Sequence, residues 1–494
     1  MSSRSEEQLT YPEGMVNIIR DGLQLAKTPK KVIIAGAGMS GLVSASLLKR
    51  AGHHVTVLEG NNRIGGRIFT LRQPFTQGNY VELGAMRIPS THALVCEYIK
   101  RFKLQINPFI NSSPLDLIFV NNIRTTRKHY EQYPEVLQFP LVGWEKGKTA
   151  SELFLSAVNP FIERYQSSSP EEQERLKKQY ASYSMRDYLE NNPLGPSLSS
   201  NAIRMIMVLL GIEGFPDFSF VDILTDIIYP IFNKDTNFYE ITGGNDQLPL
   251  SFLSELHSDI LYSHKVRKIT QTTSGVTLST VNPLTQEPKC FSGDYSIITM
   301  PFSVFQFVDV EPYDSISFKK WQAIRTLTNI PAVKIAIEFK HRFWERMEVG
   351  NIITDLPTMF TYIPSHNKGH FGPAVLLGSY SWGKNASLWT SLTESDLISY
   401  VLKDLAKIYG DIVYQEYYQA FAFDWAQNPF SAGCFTLFAP HQVVNFGDYI
   451  STPEGRLHFA GEHTSPFHGW VEGAIESGIR TAYEINERSR SIND

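Results

Sequence analysis

The feature that most constrains the fold of this 494-residue chain is a glycine pattern near its N-terminus. In "KVIIAGAGMSG" a short apolar run leads into Gly36, Gly38 and Gly41, and a helical spacing of apolar residues follows. A second apolar run, "HHVTVLEG", ends in Glu59. A G-x-G-x-x-G turn between strand and helix, with an acid after the next strand to bind ribose hydroxyls, is typical of dinucleotide-binding β-α-β units. Residues 31–59 therefore predict such a unit.

Each glycine of this turn has its own predicted role. Gly36 allows the tight bend, Gly38 lets the backbone approach a pyrophosphate, and Gly41 lets helix and strand pack closely. The first helical residues, Met39 and Ser40, then present free N–H groups and a partial positive charge to the phosphates. The alternative is a structural glycine turn without a ligand.

Composition excludes several other classes of protein. With 42% hydrophobic and 19% charged residues, the chain predicts a globular protein of two or three packed domains. A net charge of −5, without a block of Lys and Arg, argues against a nucleic-acid partner. We also expect no membrane partner, because no apolar run approaches membrane-span length. Cys96, Cys290 and Cys434 lack metal-type spacing, so we expect no metal and a reducing, cytoplasmic location.

The rest of the chain alternates between helix and strand patterns. Residues 126–235 favour helices, and "SSSPEEQERLKKQY" among them predicts Ser169 as N-cap, Pro170 at the first helical position and Glu172 in a capping box. Strand patterns return at 236–302, and later in "AVKIAIEF" and "AVLLGSY". The last segment, "RLHFAGE" and then "GWVEGAIESGIRTAYEI", repeats the strand–helix theme. Because no linker separates these regions, we expect interleaved domains.

A second glycine pair follows the β-α-β unit directly. In "NNRIGGRI", Gly65 and Gly66 precede Arg67, a combination that suits a flavin dinucleotide extending into the protein better than a nicotinamide one. Near the C-terminus "HFAGEH" ends another strand in Gly461 and Glu462, which we interpret as a further hydroxyl-binding acid.

Six motifs follow one another along the chain: GAGMSG, VLEG, RIGGR, ELGAMRIP, FAGEH and HGWVEGAIESG. In this order they resemble the flavin-containing amine oxidase family. That family includes L-amino-acid oxidases, monoamine and polyamine oxidases, and tryptophan 2-monooxygenases. The resemblance runs from about residue 31 to about residue 485. It implies FAD and a mixed α/β (α+β) fold, in which a Rossmann-like FAD-binding domain is interleaved with a substrate-binding mixed-sheet domain and a helical domain.

The three implied domains alternate along the chain. The FAD-binding segments are 31–92, 236–302 and 448–490, the substrate-binding segments are 93–125 and 303–447, and the helical domain is 126–235.

Arg87, in "YVELGAMRIPS", raises the question of which anion it binds. Oxidases of simple amines need an apolar pocket without a fixed cation, whereas an amino-acid oxidase must hold a carboxylate, for which the planar guanidinium is suited. The segment is similar to the L-amino-acid oxidase version of the family motif, whose arginine binds the substrate carboxylate. The alternatives are an ion pair with an acid such as Glu82 and a phosphate contact.

Later motifs supply the rest of the implied substrate site. "LLGSYSWGKN" resembles the family strand whose tyrosine gives the carboxylate a second bond, which indicates Tyr380. "HGWVEG" places Gly469 and Trp470 beside the flavin and the substrate amine, and "DWAQNPFSAGCFTLF" offers Trp425 and Phe435 as pocket walls. As isolated aromatics, these would be ordinary core residues.

Lys334 and Cys434 are two further candidates. The alternating apolar neighbours of Lys334 predict that its side chain is buried. The matching lysine of the family holds a water near flavin N5 and takes part in flavin reoxidation. The alternative is a strand-edge lysine that reaches solvent. The segment "SAGCF", which contains Cys434, resembles the monoamine oxidase segment whose cysteine bonds to the flavin. Amino-acid oxidases of the family usually hold FAD non-covalently, and we favour non-covalent binding here.

The resemblance also implies a set of FAD contacts. They are Gly36, Gly38, Met39, Ser40, Gly41, Glu59, Gly60, Gly66, Arg67, Gly84, Ala85, Met86, Arg87, Val266, Glu462, Trp470, Val471 and Ala474.

The function that follows is an FAD-dependent L-amino-acid oxidase. Hydride transfer from Cα to flavin N5 gives an imino acid that hydrolyses to a 2-oxo acid and ammonia, while oxygen becomes hydrogen peroxide. The aromatic pocket suggests large apolar or aromatic substrates. Three alternatives stay open: oxidative decarboxylation to an amide as in tryptophan 2-monooxygenase, monoamine or polyamine oxidation, and a flavin-binding protein without turnover. A homodimer also stays open.

Overall fold

The computed structural model describes residues 9–212, 216–224 and 236–490. The strands are β1 (Lys31–Ala35), β2 (His54–Leu58), β3 (Thr70–Leu71), β4 (Val81–Glu82), β5 (Ile88–Pro89), β6 (Ile106–Pro108), β7 (Leu117–Val120), β8 (Ile123–Thr126), β9 (Phe238–Ile241), β10 (Ile260–Leu261), β11 (Lys265–Gln271), β12 (Val276–Val281), β13 (Pro288–Gly293), β14 (Tyr295–Ile298), β15 (Asp309–Glu311), β16 (Thr328–Ile330), β17 (Ala332–Phe339), β18 (Ile352–Thr354), β19 (Phe360–Tyr362), β20 (Ala374–Trp382), β21 (Tyr417–Asp424), β22 (Phe435–Leu437) and β23 (Leu457–Phe459).

The α-helices are Glu13–Asp21, Met39–Arg50, Ala93–Arg101, Arg127–Gln132, Ala150–Ser167, Pro170–Tyr180, Met185–Glu190, Ser200–Leu209, Phe220–Asp222, Gln247–Ser251, Leu253–Leu256, Phe302–Phe305, Phe318–Thr326, Phe343–Arg346, Lys384–Trp389, Glu394–Tyr409, Ile412–Glu416, Gln442–Ile450 and Val471–Arg490. Short 3₁₀ helices occupy Pro134–Leu137, Gly143–Glu145, His257–Asp259, Tyr313–Ser315 and Glu462–Thr464. None of the helices in these described ranges is long and apolar enough to cross a bilayer.

A five-stranded parallel sheet, in the order β10–β2–β1–β14–β23, collects strands from widely separated parts of the chain. Helix Met39–Arg50 connects β1 to β2, which confirms the predicted β-α-β unit. Close packing here requires glycine, because a Cβ on Gly41 would lie 2.1 Å from the carbonyl oxygen of Gly36. In open parallel sheets ligands bind beyond the carboxyl ends of the strands where the strand order reverses, and β1 occupies that position.

A seven-stranded mixed sheet, in the order β21–β17–β20–β19–β18–β7–β8, forms the second large layer. "AVKIAIEF" is β17, as predicted, and "AVLLGSY" lies in β20, which continues to Trp382. Since β7 and β8 precede the helical region and the other strands follow it, this sheet too is assembled from separate segments. The predicted mixed α/β class with a Rossmann-like sheet is confirmed; the six domain boundaries stay a prediction.

The helical region packs around a large apolar cluster that includes Phe154, Phe161 and Phe220. Of the predicted helical segment, residues 213–215 and 225–235 lie outside the described residues. Ser169 caps helix Pro170–Tyr180 by accepting from the amide of Glu172 at 3.3 Å, as expected. The reciprocal half of the capping box was wrong, because the Glu172 carboxylate instead pairs with Arg175 at 2.5 Å. A guanidinium one turn away competes for it better than the N-cap amide does.

Candidate active site

A cavity of about 680 Å³ opens at the carboxyl ends of the parallel strands and extends to the mixed sheet. It is lined by the turn after β1, the end of β2, the segment from Gly84 to Ile88, and two short stretches, Gly461 to Glu462 and His468 to Val471. Every residue predicted for the site lines this cavity except Gly41 and Lys334. Gly41 lies behind the turn, where it is needed for packing.

The turn after β1 forms a cradle with room for a phosphate group. Gly36 has a φ of 117°, which favours glycine, and no atom lies within 4 Å of a Cβ built on Gly38. Gly38 lines the cavity, so a side chain there would project into space that a ligand could use. Helix Met39–Arg50 begins at this point without a side-chain cap, which leaves its first amides available for an anion. This geometry fits a dinucleotide pyrophosphate.

Glu59 follows β2 and is held by the backbone on both oxygens. Oε2 accepts from the Ala37 amide and Oε1 accepts from the Asn61 amide, each at 2.8 Å. Burial raises the pKa of Glu59, although these amides act in the opposite direction. A carboxylate has about four lone-pair sites. Glu59 therefore retains acceptor capacity for a ribose hydroxyl while it fixes the turn.

Arg67 and Glu462 form a buried ion pair in the cavity wall. Nη1 of Arg67 lies 2.6 Å from Oε1 of Glu462, whose Oε2 accepts from the Gly469 amide at 2.9 Å. Thr436 donates a further hydrogen bond to Oε1 at 3.1 Å. Burial alone would raise the pKa of Glu462, but Arg67 and two nearby histidines lower it to about 2. Glu462 is therefore ionised, and it holds Arg67, Thr436 and Gly469 together in the cavity wall. Its predicted contact with a cofactor hydroxyl stays a prediction.

Arg87 lies in the cavity wall without a carboxylate partner among the described residues. Its Nη1 donates to Oδ1 of Asn111 and to the Tyr362 hydroxyl, the latter at 3.4 Å. Glu82, the alternative ion-pair partner, instead accepts from the Thr70 hydroxyl at 2.9 Å. The guanidinium is therefore held by neutral groups beside a cavity, an arrangement that leaves its charge for an anionic ligand.

Lys334 lies in β17, which is paired on both sides within the mixed sheet, and is only 1% exposed, so the strand-edge alternative is wrong. Its Nζ donates to the carbonyl oxygens of Glu82 and Gly84, at 3.0 and 2.7 Å, and lies 4.4 Å from the centre of the Tyr380 ring. Burial lowers the pKa of Lys334 to about 8. The amine lies immediately behind cavity-lining Gly84 and Tyr380 and does not line the cavity.

Aromatic side chains form part of the cavity wall. Tyr380 packs edge to face on Trp382 with centroids 4.7 Å apart, and Trp425 is fixed by a 2.7 Å hydrogen bond from Nε1 to the Leu83 carbonyl. Phe435 packs against Gly469, at 3.6 Å from a Cβ built there. These contacts bring together residues that three separate motifs predicted.

Cys434 also lines the cavity, but its thiol is a poor nucleophile. Burial raises the pKa of Cys434 to about 11, and its carbonyl oxygen accepts from Arg67 at 3.1 Å. A thiol must ionise to attack, so this environment favours the neutral, unreactive form.

Sequence reasoning missed several groups of the site. Asn111 and Tyr362, which hold Arg87, come from loops and strands far along the chain, and no local motif marks them. His468, which lines the cavity, and its partner Asp222 were not among the predicted site residues either. A 246-residue separation leaves no trace in spacing or periodicity.

Comparisons with known proteins find similar chains along almost the whole length of this one. The family model described as "Flavin containing amine oxidoreductase" matches residues 39–486. The chain is 47% identical over 476 residues to the Bacillus subtilis (strain 168) protein named "Putative L-amino-acid oxidase YobN", covering 96% of this chain and 98% of that protein. It is 35% identical over 480 residues to an L-amino-acid oxidase of Siganus canaliculatus, covering 96% of this chain and 89% of that one.

Among solved structures, the cyclohexylamine oxidase of Brevibacterium oxydans IH-35A superposes with a TM-score of 0.75. The match covers 94% of this chain and 100% of that one at 21% identity, so it supports the fold alone.

Proposed function

This chain belongs to the flavin-containing amine oxidoreductase family, and we propose that it is an FAD-dependent L-amino-acid oxidase. The proposed reaction converts an L-amino acid, water and oxygen to a 2-oxo acid, ammonia and hydrogen peroxide. Large apolar or aromatic substrates fit the aromatic walls around Tyr380 and Phe435. Amino acid and oxygen are the proposed partners. Cytoplasmic location is part of the proposal, supported by three unpaired cysteines.

One observation carries the choice of an amino acid over an amine. Arg87 presents a guanidinium to the cavity while its hydrogen-bonded neighbours, Asn111 and Tyr362, are neutral. A cation facing an apolar amine would be desolvated without compensation, whereas a substrate carboxylate would pair with it. Tyr380 lines the same cavity, and the proposal assigns to its hydroxyl a second hydrogen bond to the carboxylate.

FAD fits the observed cavity, and we propose that it is held non-covalently. Gly38 and the first amides of helix Met39–Arg50 would hold its pyrophosphate, and Glu59 its ribose. When bound, FAD supplies the acceptor for the two electrons removed from the substrate. The thiol of Cys434, kept neutral by burial, disfavours a covalent link. Helix Val471–Arg490 also begins at the cavity, where its positive end favours negative charge.

Two related reactions are less well supported. Oxidation of simple amines leaves Arg87 without a substrate partner, and oxidative decarboxylation to an amide would keep the arginine but yield carbon dioxide. Product mass separates them, because a 2-oxo acid, an amide and an aldehyde differ for the same amino acid or amine.

The experiment compares Arg87→Ala with wild type on an amino acid and on the amine that lacks only its carboxylate. A buried charged partner is worth about 2–5 kcal/mol, so kcat/KM for the amino acid should fall by about thirtyfold to several thousandfold. The amine should lose nothing. Arg87→Lys keeps the charge without the planar fork and should give an intermediate loss.

Flavin content is the control in this experiment. A yellow wild type and a yellow variant with equal flavin content assign the effect to substrate, whereas loss of flavin on substitution would assign Arg87 to the cofactor. An unchanged ratio of amino-acid to amine turnover would remove the main support for an amino-acid substrate. Protein that cannot be reconstituted with FAD would contradict the whole proposal.

A further inference from the structure

A buried histidine–carboxylate pair, formed by His468 and Asp222, lies at the cavity wall. Nδ1 of His468 is 2.9 Å from Oδ1 of Asp222, and the two residues are only 1% and 4% exposed. His468 lines the cavity, whereas Asp222 supports it from the far side. Leaving one partner of a buried hydrogen bond unsatisfied is costly, so this pair holds its geometry tightly.

Both oxygens of Asp222 are engaged, which fixes the imidazole ring. Oδ2 of Asp222 accepts from the Phe438 amide at 2.7 Å while Oδ1 receives Nδ1 of His468. The Phe438 ring packs edge to face on the imidazole, with centroids 4.6 Å apart. Since a carboxylate only accepts, Nδ1 carries a proton, and the orientation of the ring is set.

Two carboxylates, those of Asp222 and Glu462, lie close to His468. Beyond Asp222, the Glu462 carboxylate is tied to the next residue of the chain, since Gly469 donates its amide to Oε2 of Glu462 at 2.9 Å. The positive charge of Arg67 neutralises the negative charge of Glu462. A protonated His468 would balance the charge of Asp222, and a nearby opposite charge stabilises the charged form.

Neighbouring His463 does not supply that charge. It is fully buried, and burial lowers its pKa to about 3. Its ring nitrogens find no hydrogen-bond partner among the described residues. His468 is therefore the histidine of this segment that has both a carboxylate partner and a place in the cavity wall.

We propose that Asp222 is a positioning residue that holds His468 as a cation in the cavity wall, where it stabilises the anion formed as oxygen is reduced. The inference rests on the proposed oxidase function. Two electrons from the amino acid and two protons convert dioxygen to hydrogen peroxide, and the first electron creates negative charge before the protons arrive. A fixed cation in a water-poor site lowers the energy of that charge without reorganisation.

The test uses Asp222→Asn in the FAD-loaded protein. An asparagine can keep an acceptor for Phe438 but removes the charge that stabilises the imidazolium. Sulfite, an anion that bleaches oxidised flavin, is the first probe, and its dissociation constant should rise about tenfold or more. In rapid-mixing experiments, reoxidation by oxygen should slow by about tenfold or more, with less than about a twofold effect on reduction by the amino acid.

Glu484→Gln provides the matched control. It breaks another buried histidine–carboxylate pair, in which Nδ1 of fully buried His458 lies 2.6 Å from Glu484, away from the cavity. This variant should lose thermal stability but keep the wild-type sulfite affinity and reoxidation rate. A similar change in both variants would reduce Asp222 to a general structural role and overturn the proposal.

His468→Gln is the second route to the same result, should Asp222→Asn fail to fold. It removes the cation directly and should weaken sulfite binding equally. Unchanged sulfite affinity in a variant with normal flavin content would overturn the proposal. The sulfite measurement needs only bound flavin, so it remains informative if wild type proves not to oxidise amino acids, and the two failures stay distinguishable.

Discussion

At Lys334 the chain keeps an amine out of water and beside the cavity, held by carbonyls rather than by a carboxylate. The two hydrogen bonds to Glu82 and Gly84 use two of its three N–H donors. With the pKa of the amine lowered to about 8 by burial, it loses its charge more readily than an exposed lysine does. The third donor has no hydrogen-bond acceptor among the described residues, and we predict that it binds a water.

Lys334→Met keeps the volume of the side chain but removes every donor. We expect flavin reoxidation by oxygen to slow by about tenfold or more, while reduction by the amino acid changes little, since no substrate contact is lost. Rapid mixing of each half-reaction measures the two rates separately. Lys320→Met is the matched control, because Lys320 is equally buried and donates to the carbonyls of Ile450 and Thr452, outside the cavity. Equal slowing of both half-reactions in Lys334→Met would leave it a structural role only.

At the scale of elements, the turn between β1 and helix Met39–Arg50 contains two glycines with different roles. Gly41 is needed for packing, and Gly38 is proposed to bind the cofactor. A Cβ on Gly41 would meet the Gly36 carbonyl oxygen at 2.1 Å, whereas a Cβ on Gly38 would meet nothing within 4 Å. The same substitution therefore has different physical consequences at the two positions.

Gly41→Ala should lower the free energy of unfolding by several kcal/mol or prevent folding, because backbone must move to admit the methyl group. Gly38→Ala should leave the melting temperature of the FAD-free protein nearly unchanged and weaken FAD binding by about tenfold or more, since the methyl group occupies the cradle. Fluorescence titration with FAD and thermal melts of both variants measure these effects. Wild-type FAD affinity in Gly38→Ala would remove this turn from the proposed pyrophosphate site.

The sequence predicted elements whose causes are local and missed contacts whose causes are not. The β-α-β unit and β17 follow from glycine spacing and apolar runs within a few residues, and these predictions are confirmed. The partners of Arg87 lie 24 and 275 positions away, and only tertiary folding brings them together. Even a local prediction, the reciprocal half of the capping box at Glu172, was wrong where Arg175 competed for the carboxylate, although the Ser169 cap itself is confirmed.

At the scale of the whole molecule, one buried carboxylate helps to join the two ends of the described chain. Glu472, in helix Val471–Arg490, accepts from the amides of Leu94 and Val95 at 2.9 and 3.0 Å and from the Tyr11 hydroxyl at 2.9 Å. It thereby joins the N-terminal segment and helix Ala93–Arg101 to the C-terminal helix. Burial raises the pKa of Glu472 from 4.5 to about 7, although these donors act in the opposite direction.

This shift predicts how stability depends on pH. A carboxyl whose folded-state pKa is raised contributes stability that is complete below pH 4.5 and is lost as pH rises through about 7, because the folded state holds the proton more tightly than the unfolded state. Each unit of difference corresponds to about 1.4 kcal/mol. Glu472→Gln cannot titrate, so its melting temperature should fall less than that of wild type between about pH 5 and pH 8, with FAD kept saturating. Buried Glu82, whose pKa is also raised to about 7, titrates in both proteins and gives the remaining slope. Parallel curves for the two proteins would show that Glu472 is ionised throughout this range and that its three donors outweigh its burial.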